Sequence, residues 1–388
     1  MSGVVRPIRT GWVVTGGVPG PDVDEFAEAD QVVAALATTG ADTLLAVQHP
    51  HRTRAALAAG LPLTDALPTA QQELARLLRS AYREVGNVVA PYLVSGHDGT
   101  ALGMLCLVDP AAVDVAGQAR VRQAEQVYPD VVAERAAVLA GLGVATSAAL
   151  LVPVTGGDAL TKALWRAIDK PAEVSIVDSQ HRQHALWLVG PGPEQDELVA
   201  IADRHPLLVA DGNHRVAAAA ASDPSSLLAL VTAGPDLRVG AIHRVLTGTG
   251  RTLADLTAAW RAAGLDVVDV PVPTTAPLPG TVIAVAGSSA VEIKLPPPLR
   301  TEALPRIDHG VVEQLLIGRS LGIDPEGPQL RPLPAGISPA TDVDAVLLLA
   351  AVPYPDVLAV HEQGRRMPRK STYFTPKPRS GLLLAALS

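Results

Sequence analysis

The sequence predicts an α/β or α+β fold, and three observations carry that expectation. Alanine-rich runs such as Val216–Ala221 favour helix, because alanine has the best helix propensity. Short Val/Leu-rich runs such as Leu207-Leu208-Val209 read as buried strands. Gly, Pro, Asn and Asp punctuate the chain between them, each a residue that turns require.

The bulk properties narrow the class. A chain of 388 residues suits two or three domains and can bury a core without covalent staples. The single cysteine, Cys106, rules out an intramolecular disulfide framework. A net charge of −8 with 31 basic residues spread along the chain argues against general nucleic-acid binding, which needs clustered Lys and Arg. Aromatic residues make up only 3%, too few for base-stacking platforms. Mean hydropathy is +0.26, but it comes from scattered Ala, Val and Leu. No charge-free apolar run approaches the ~20 residues of a spanning helix. The opening Met1–Pro7 breaks at a proline before any apolar leader forms. A soluble cytoplasmic protein, with neither nucleic acid nor membrane as partner, is expected.

Taken in order, the chain first predicts a strand over Gly11–Thr15, a Gly/Pro turn over Gly16–Asp22, a helix over Val23–Thr38 and a strand over Thr43–Val47. The Gly16–Gly20 turn lacks the Lys-Ser/Thr of a phosphate loop. Leu67–Glu84 is the clearest amphipathic helix, with Leu67, Leu74, Leu77, Leu78 and Ala81 on one face. Val88–Val94 and Ala101–Leu107 flank Asp98-Gly99, a hairpin signal. Pro129 sits where a helix over Val131–Leu142 tolerates it. A strand (Ala148–Val154), a helix (Leu160–Ile168), a hairpin-like pair (Ala172–Asp178 and His184–Val189) and a helix (Gln195–Arg204) follow. Beyond the Leu207–Ala221 stretch come strands over Leu227–Thr232 and Leu237–Leu246, and a helix over Leu253–Ala263. The proline-rich Pro271–Pro279 reads as a linker or a bulging loop. Strands over Val282–Ala286 and Ala290–Leu295, an amphipathic helix over Ile307–Gly318 and a strand over Asp342–Val352 complete the elements. Three regions are expected: 1–100, 101–250 and 251–388.

Pro206–Ala221 is the stretch of chemical interest. A strand ending in Asp211, Gly212 and Asn213 leads into a helix whose first turn carries His214 and Arg215. Strand, tight glycine turn and fresh helix N-terminus form a natural anion site. The same residues also suit an ordinary strand-to-helix connection. His49, His51, His97 and His181 have no neighbours at metal-ligand spacing and read as surface or turn residues. Arg365–Lys377 is the most cationic segment, with hydroxyls at Ser371, Thr372 and Tyr373.

Several stretches together resemble the domain-of-unknown-function 1015 family. They are Ala210-Asp211-Gly212-Asn213-His214-Arg215 (family pattern ADGHHR), Ile242–Val245, Ile307–Leu316 and the closing Met367–Lys377 with Ser380-Gly381-Leu382. A weaker match runs from Ala124-Glu125 through Asp130 to Glu134-Arg135. The resemblance implies a ParB/sulfiredoxin-like core with N-terminal and C-terminal α/β additions, the core falling in 101–250. It implies a nucleotide-dependent kinase that phosphorylates the hydroxyl of free serine or a serine-like metabolite, with ATP or ADP as donor and Mg²⁺ as cofactor. On that view Glu125 and His214 are catalytic. Asp211, Gly212, Asn213, His214, Arg215, His243, Arg244, Lys370 and Ser371 meet the nucleotide phosphates, and Asp211 or Glu125 holds the metal. Asn213 stands where the family pattern has histidine, and Ala124 stands before the glutamate in place of another histidine. Those departures suit the alternative, a non-catalytic nucleotide-binding switch or scaffold.

Overall fold

The computed structural model describes residues 3–22, 29–40, 42–223, 225–300, 302–339 and 343–387. Residues 23–28 of the expected first helix, and Asp342 of the expected last strand, lie outside them. The fold is mixed α/β, and the chain divides into two compact units: Met1–Arg238 with Thr375–Ser388, and Val239–Phe374.

The first unit opens with β1 (Val5–Arg6) and β2 (Ile8–Val14). Helices α1 (Ala29–Thr39), α2 (Leu44–Gln48), α3 (Arg54–Ala59) and α4 (Leu63–Ala81) follow. The strand expected over Thr43–Val47 is therefore helix α2. The Thr43 side chain accepts from the Ala46 N–H and caps it, and four buried residues in a row suit a short core helix as well as a strand. β3 (Tyr82–Val88) starts where α4 stops. β4 (Ala90–Gly96) and β5 (Gly99–Val108) form the expected hairpin, with Gly96 opposite Gly99. Gly99 has φ +129°, and a Cβ there would lie 2.7 Å from the Asp236 carbonyl oxygen, so the turn demands glycine.

β6 (Val121–Gln123) precedes α5 (Pro129–Leu142), which has Pro129 in its first turn. Then come β7 (Val144–Ala145), β8 (Ala149–Pro153), α6 (Gly157–Ala167), β9 (Val174–Val177), β10 (Gln183–Leu186) and α7 (Pro193–Ala202). β11 (Leu207–Asp211), α8 (Asn213–Ala220) and β12 (Leu227–Pro235) end the run. Among the described residues the main sheet runs β6-β11-β8-β12-β5-β4-β10-β9, with β1 added on β5. Most neighbours are antiparallel, but β6 is parallel to β11 and β8 to β12. Leu102, Met104, Leu151, Leu160, Leu164, Val209 and Val216 share its core, each such side chain contributing about 1.5–3 kcal/mol by burial. Cys106 lies in this core, and burial pushes its thiol pKa up, so it is an inert apolar filler.

The second unit contains β14 (Ile242–Leu246), β15 (Asp266–Val270), β16 (Thr281–Ala286), β17 (Ser289–Lys294), β18 (Leu330–Pro334) and β19 (Ala345–Leu348). The short strands β13 (Arg238–Gly240) and β20 (Tyr373–Thr375) fall at the chain positions where the units divide. The sheet order is β15-β17-β16-β19-β14-β18, antiparallel throughout. Helix α9 (Leu253–Ala262) places Trp260 in its core beside Val282, Ile293 and Leu316. α10 (Asp308–Val311) runs into a π-helix over Val312–Arg319, a wider winding than the regular helix expected there. α11 (Tyr354–Glu362) follows. Pro271–Pro279 joins β15 to β16, which both pair with β17, so it is a loop of one sheet and not a linker between domains.

The chain ends in β21 (Leu383–Ala386), which returns to the first unit between β2 and β7 in a second sheet, β3-β2-β21-β7. That pairing is why the last residues belong with the first.

Candidate functional site

β11 lies inside the main sheet with all five residues buried. It ends at Asp211, where its register with β8 shifts. Gly212 turns the chain at φ +89°, and α8 begins at Asn213 with no side-chain cap. The positive end of a helix dipole at such a turn favours an anion.

Asp211 is 6% exposed and sits between two cations. Arg215 folds back one turn, donating from Nη2 to Asp211 Oδ2 (2.5 Å) and from Nη1 to the Ala148 carbonyl (2.6 Å). Lys377 Nζ lies 2.8 Å from the other carboxylate oxygen, Oδ1. A Cβ on residue 212 would come within 2.8 Å of Arg215 Nε, so glycine is what lets the guanidinium fold inward.

Glu125 follows β6, the parallel neighbour of β11, so both carboxylates emerge from the same ends of adjacent strands. Glu125 is 6% exposed, and its N–H reaches Asn213 Oδ1 at 3.5 Å. His214 stacks on Tyr128 with rings 5.8 Å apart and accepts the Tyr128 N–H at Nε2 (3.0 Å). An accepting Nε2 bears no proton, so the positive charge here belongs to Arg215 and Lys377.

The other expected phosphate ligands lie in the second unit. Arg244, 2% exposed, donates to Glu313 Oε1 from Nε (2.8 Å) and Nη2 (2.6 Å), and to the carbonyls of Lys370 and Arg369, both at 3.0 Å. Its guanidinium thus fastens the Arg369–Lys370 backbone. His243 accepts the Leu349 N–H at Nδ1 (3.2 Å), and burial, with Arg244 nearby, lowers its pKa. Ser371 is fully buried and donates to the Pro368 carbonyl (2.7 Å).

Asp211 gives one carboxylate oxygen to Arg215 and the other to Lys377. Among the described residues no three His, Cys, Asp or Glu side chains gather to hold a metal.

Lys377 is the residue that sequence reading did not select for the site. Its signal was present in the closing Met367–Lys377 stretch, but nothing in the spacing tied it to Asp211. The histidines read as surface residues are also partly engaged. His51 lies 3.7 Å from Glu134, and burial with Arg135, Arg52 and His51 nearby lowers the pKa of His49 to about 3.

No curated protein matches the chain. Among solved structures, a free serine kinase variant in complex with AMP is 13% identical, covers 72% of this chain and 92% of its own, and gives a TM-score of 0.40. A conserved hypothetical protein from Pyrococcus furiosus is 12% identical over 72% and 95%, with a TM-score of 0.38. C-terminally truncated SbnI from Staphylococcus aureus is 14% identical over 72% and 87%, also at 0.38. The family model described as Protein of unknown function (DUF1015) matches residues 88–276, which hold Glu125, the Asp211–Arg215 turn and Arg244.

Proposed function

We propose that the Asp211–Arg215 turn binds the phosphates of a nucleotide and that the protein transfers a phosphoryl group to the hydroxyl of serine or a serine-like metabolite. The observation that carries this reading is the pairing of Arg215 and Lys377 across Asp211 at the uncapped start of α8, with buried Glu125 beside Asn213. Two fixed cations beside a helix N-terminus are what a migrating phosphoryl group needs. Glu125 would take the proton of the acceptor hydroxyl. The hydroxyl oxygen bonds to the terminal phosphorus as the bond to the bridging oxygen breaks. The shortened nucleotide, ADP from ATP or AMP from ADP, leaves with that bridging oxygen and its charge.

A second reading, a nucleotide-binding switch without turnover, is favoured by one observation. Ala124 is 2% exposed and brings no polar group to the position before Glu125.

Thermal-shift titration with ATP, ADP and CTP, on wild type and Arg215→Ala, tests the binding they share. A ligand that binds only the native state raises the midpoint. The shift is expected in wild type and lost in Arg215→Ala; no shift with any nucleotide overturns both readings. Glu125→Gln then separates them. A kinase loses phosphoserine formation by about 10²-fold or more while binding holds, since a general base contributes that much. A switch has no turnover to lose.

A further inference from the structure

Lys377 carries its charge on a flexible four-carbon stem, so its position depends on how the backbone around it is held. Two anchors flank it. Before it, Thr375 Oγ1 donates to the Asp98 carbonyl (3.2 Å). After it, the Arg379 backbone N–H donates to the Tyr92 hydroxyl (3.1 Å).

Both anchors lead back to one carboxylate. The Tyr92 hydroxyl is 2.7 Å from His184 Nδ1, and His184 Nε2 is 3.0 Å from Asp178 Oδ2. Arg182 Nε donates to the same oxygen (2.7 Å), while its Nη1 approaches Asp98 Oδ2 at 3.8 Å. The second oxygen of Asp178 accepts the N–H groups of Gln180 (2.8 Å) and Arg182 (2.9 Å), which fixes it at the tip of the β9–β10 hairpin. Tyr92 is fully buried, and the side chains of His184 and Asp178 are 0% and 3% exposed.

The proton positions follow. Burial lowers the His184 pKa despite the neighbouring carboxylate, so the ring is neutral. Burial opposes the charge on Asp178, but the hydrogen bonds from His184 and Arg182 outweigh it and hold that carboxyl ionised. An ionised carboxylate only accepts, so His184 Nε2 carries the hydrogen, Nδ1 accepts and Tyr92 donates. The tyrosine oxygen keeps a lone pair for the Arg379 N–H. In so dry a place a half-satisfied network is costly, so the pieces hold together.

We infer that Asp178 is a positioning residue that sets Lys377 against Asp211, acting through His184 and Tyr92 on one side and through Arg182 and Asp98 on the other. Its consequence for ligand binding rests on the phosphate reading of the Asp211 turn, but the placement itself does not.

The first test needs no ligand. The full chain, as wild type, Tyr92→Phe and Asp178→Asn, is labelled with limiting acetic anhydride, and the acetylation rate of each lysine is read by mass spectrometry. Lys377 is expected to react several-fold faster in both variants, with Lys162 and Lys294 unchanged. An unchanged Lys377 rate overturns the inference, and so does an equal rise at all three lysines, which general loosening would give. Should Asp178→Asn fail to fold, Tyr92→Phe decides alone, since it removes one hydroxyl and keeps the ring that fills the core.

Calorimetric titration with ADP is the second test. Lys377→Ala and Tyr92→Phe are each expected to weaken binding, and the double variant to bind no worse than Lys377→Ala. Additive losses overturn action through Lys377. If wild type does not bind ADP, the phosphate reading fails, and the labelling rates still decide the positioning.

Discussion

Gly212 carries the geometry of the candidate site more directly than any charged residue in it. Its φ of +89° is one that only glycine adopts freely, and a methyl group there would strike Arg215 Nε. Gly212→Ala is therefore expected to cost about 1–3 kcal/mol in strain and to push Arg215 off Asp211. Urea unfolding reads the first effect, and loss of the nucleotide-induced thermal shift reads the second. A variant as stable as wild type with the shift intact would show that the turn relaxes. Arg244 behaves differently. It pairs with Glu313 inside the second unit, so Arg244→Ala removes the donor to that carboxylate and to the partly buried carbonyls of Arg369 and Lys370. Breaking such a pair costs on the order of 3 kcal/mol, somewhat less here because Glu313 is partly exposed. A lowered urea midpoint checks it.

Among the elements, α9 offers the cleanest measurement of local chemistry. Thr252 and Asp255 form a reciprocal capping box at its start, and both are exposed, so little else depends on them. Thr252→Ala is expected to cost ~1 kcal/mol, a typical cap, as a fall in the urea midpoint with unchanged slope. Caps, turns and periodicity were legible because they act over three or four residues. The Asp98-Gly99 hairpin and helix α5 follow from such signals. Thr43–Val47 was not legible in this way. Its buried apolar run is too short for a period to show, and the Thr43 cap settles it as helix only once the fold buries all sides. Nor could the sequence show the π-winding after Val311, since apolar spacing over Ile307–Gly318 suits a regular helix equally well.

At the scale of the whole molecule, acid should weaken both units. His49 in the first and His309 in the second are each held at about 3 instead of 6.5, mainly by burial. Below pH 6.5 the unfolded chain takes up protons that the folded chain refuses. Stability is therefore full above that value and falls as pH drops toward 3, by ~1.4 kcal/mol per pH unit for each histidine. Urea midpoints measured at about pH 7.5 and about pH 5 are expected to show this loss. His309→Gln, which keeps a donor for the Ile242 carbonyl, is expected to flatten it for the second unit. A midpoint that does not move with pH would mean that the folded chain takes up the same protons.

The sequence by itself determined the mixed α/β class, the strand–glycine–helix turn at Leu207–Ala220, and the acidic, aromatic-poor composition. Each depends on composition or on residues a few positions apart. Only the tertiary structure decided that Lys377 joins Arg215 on Asp211, that Arg244 pairs with Glu313, and that residues 375–388 group with the first compact unit. The reason is strand order. β21 pairs with β2 and β7, and that pairing carries the tail back to the first unit. Which distant strands pair is set by the burial of whole faces, a quantity that no local window contains.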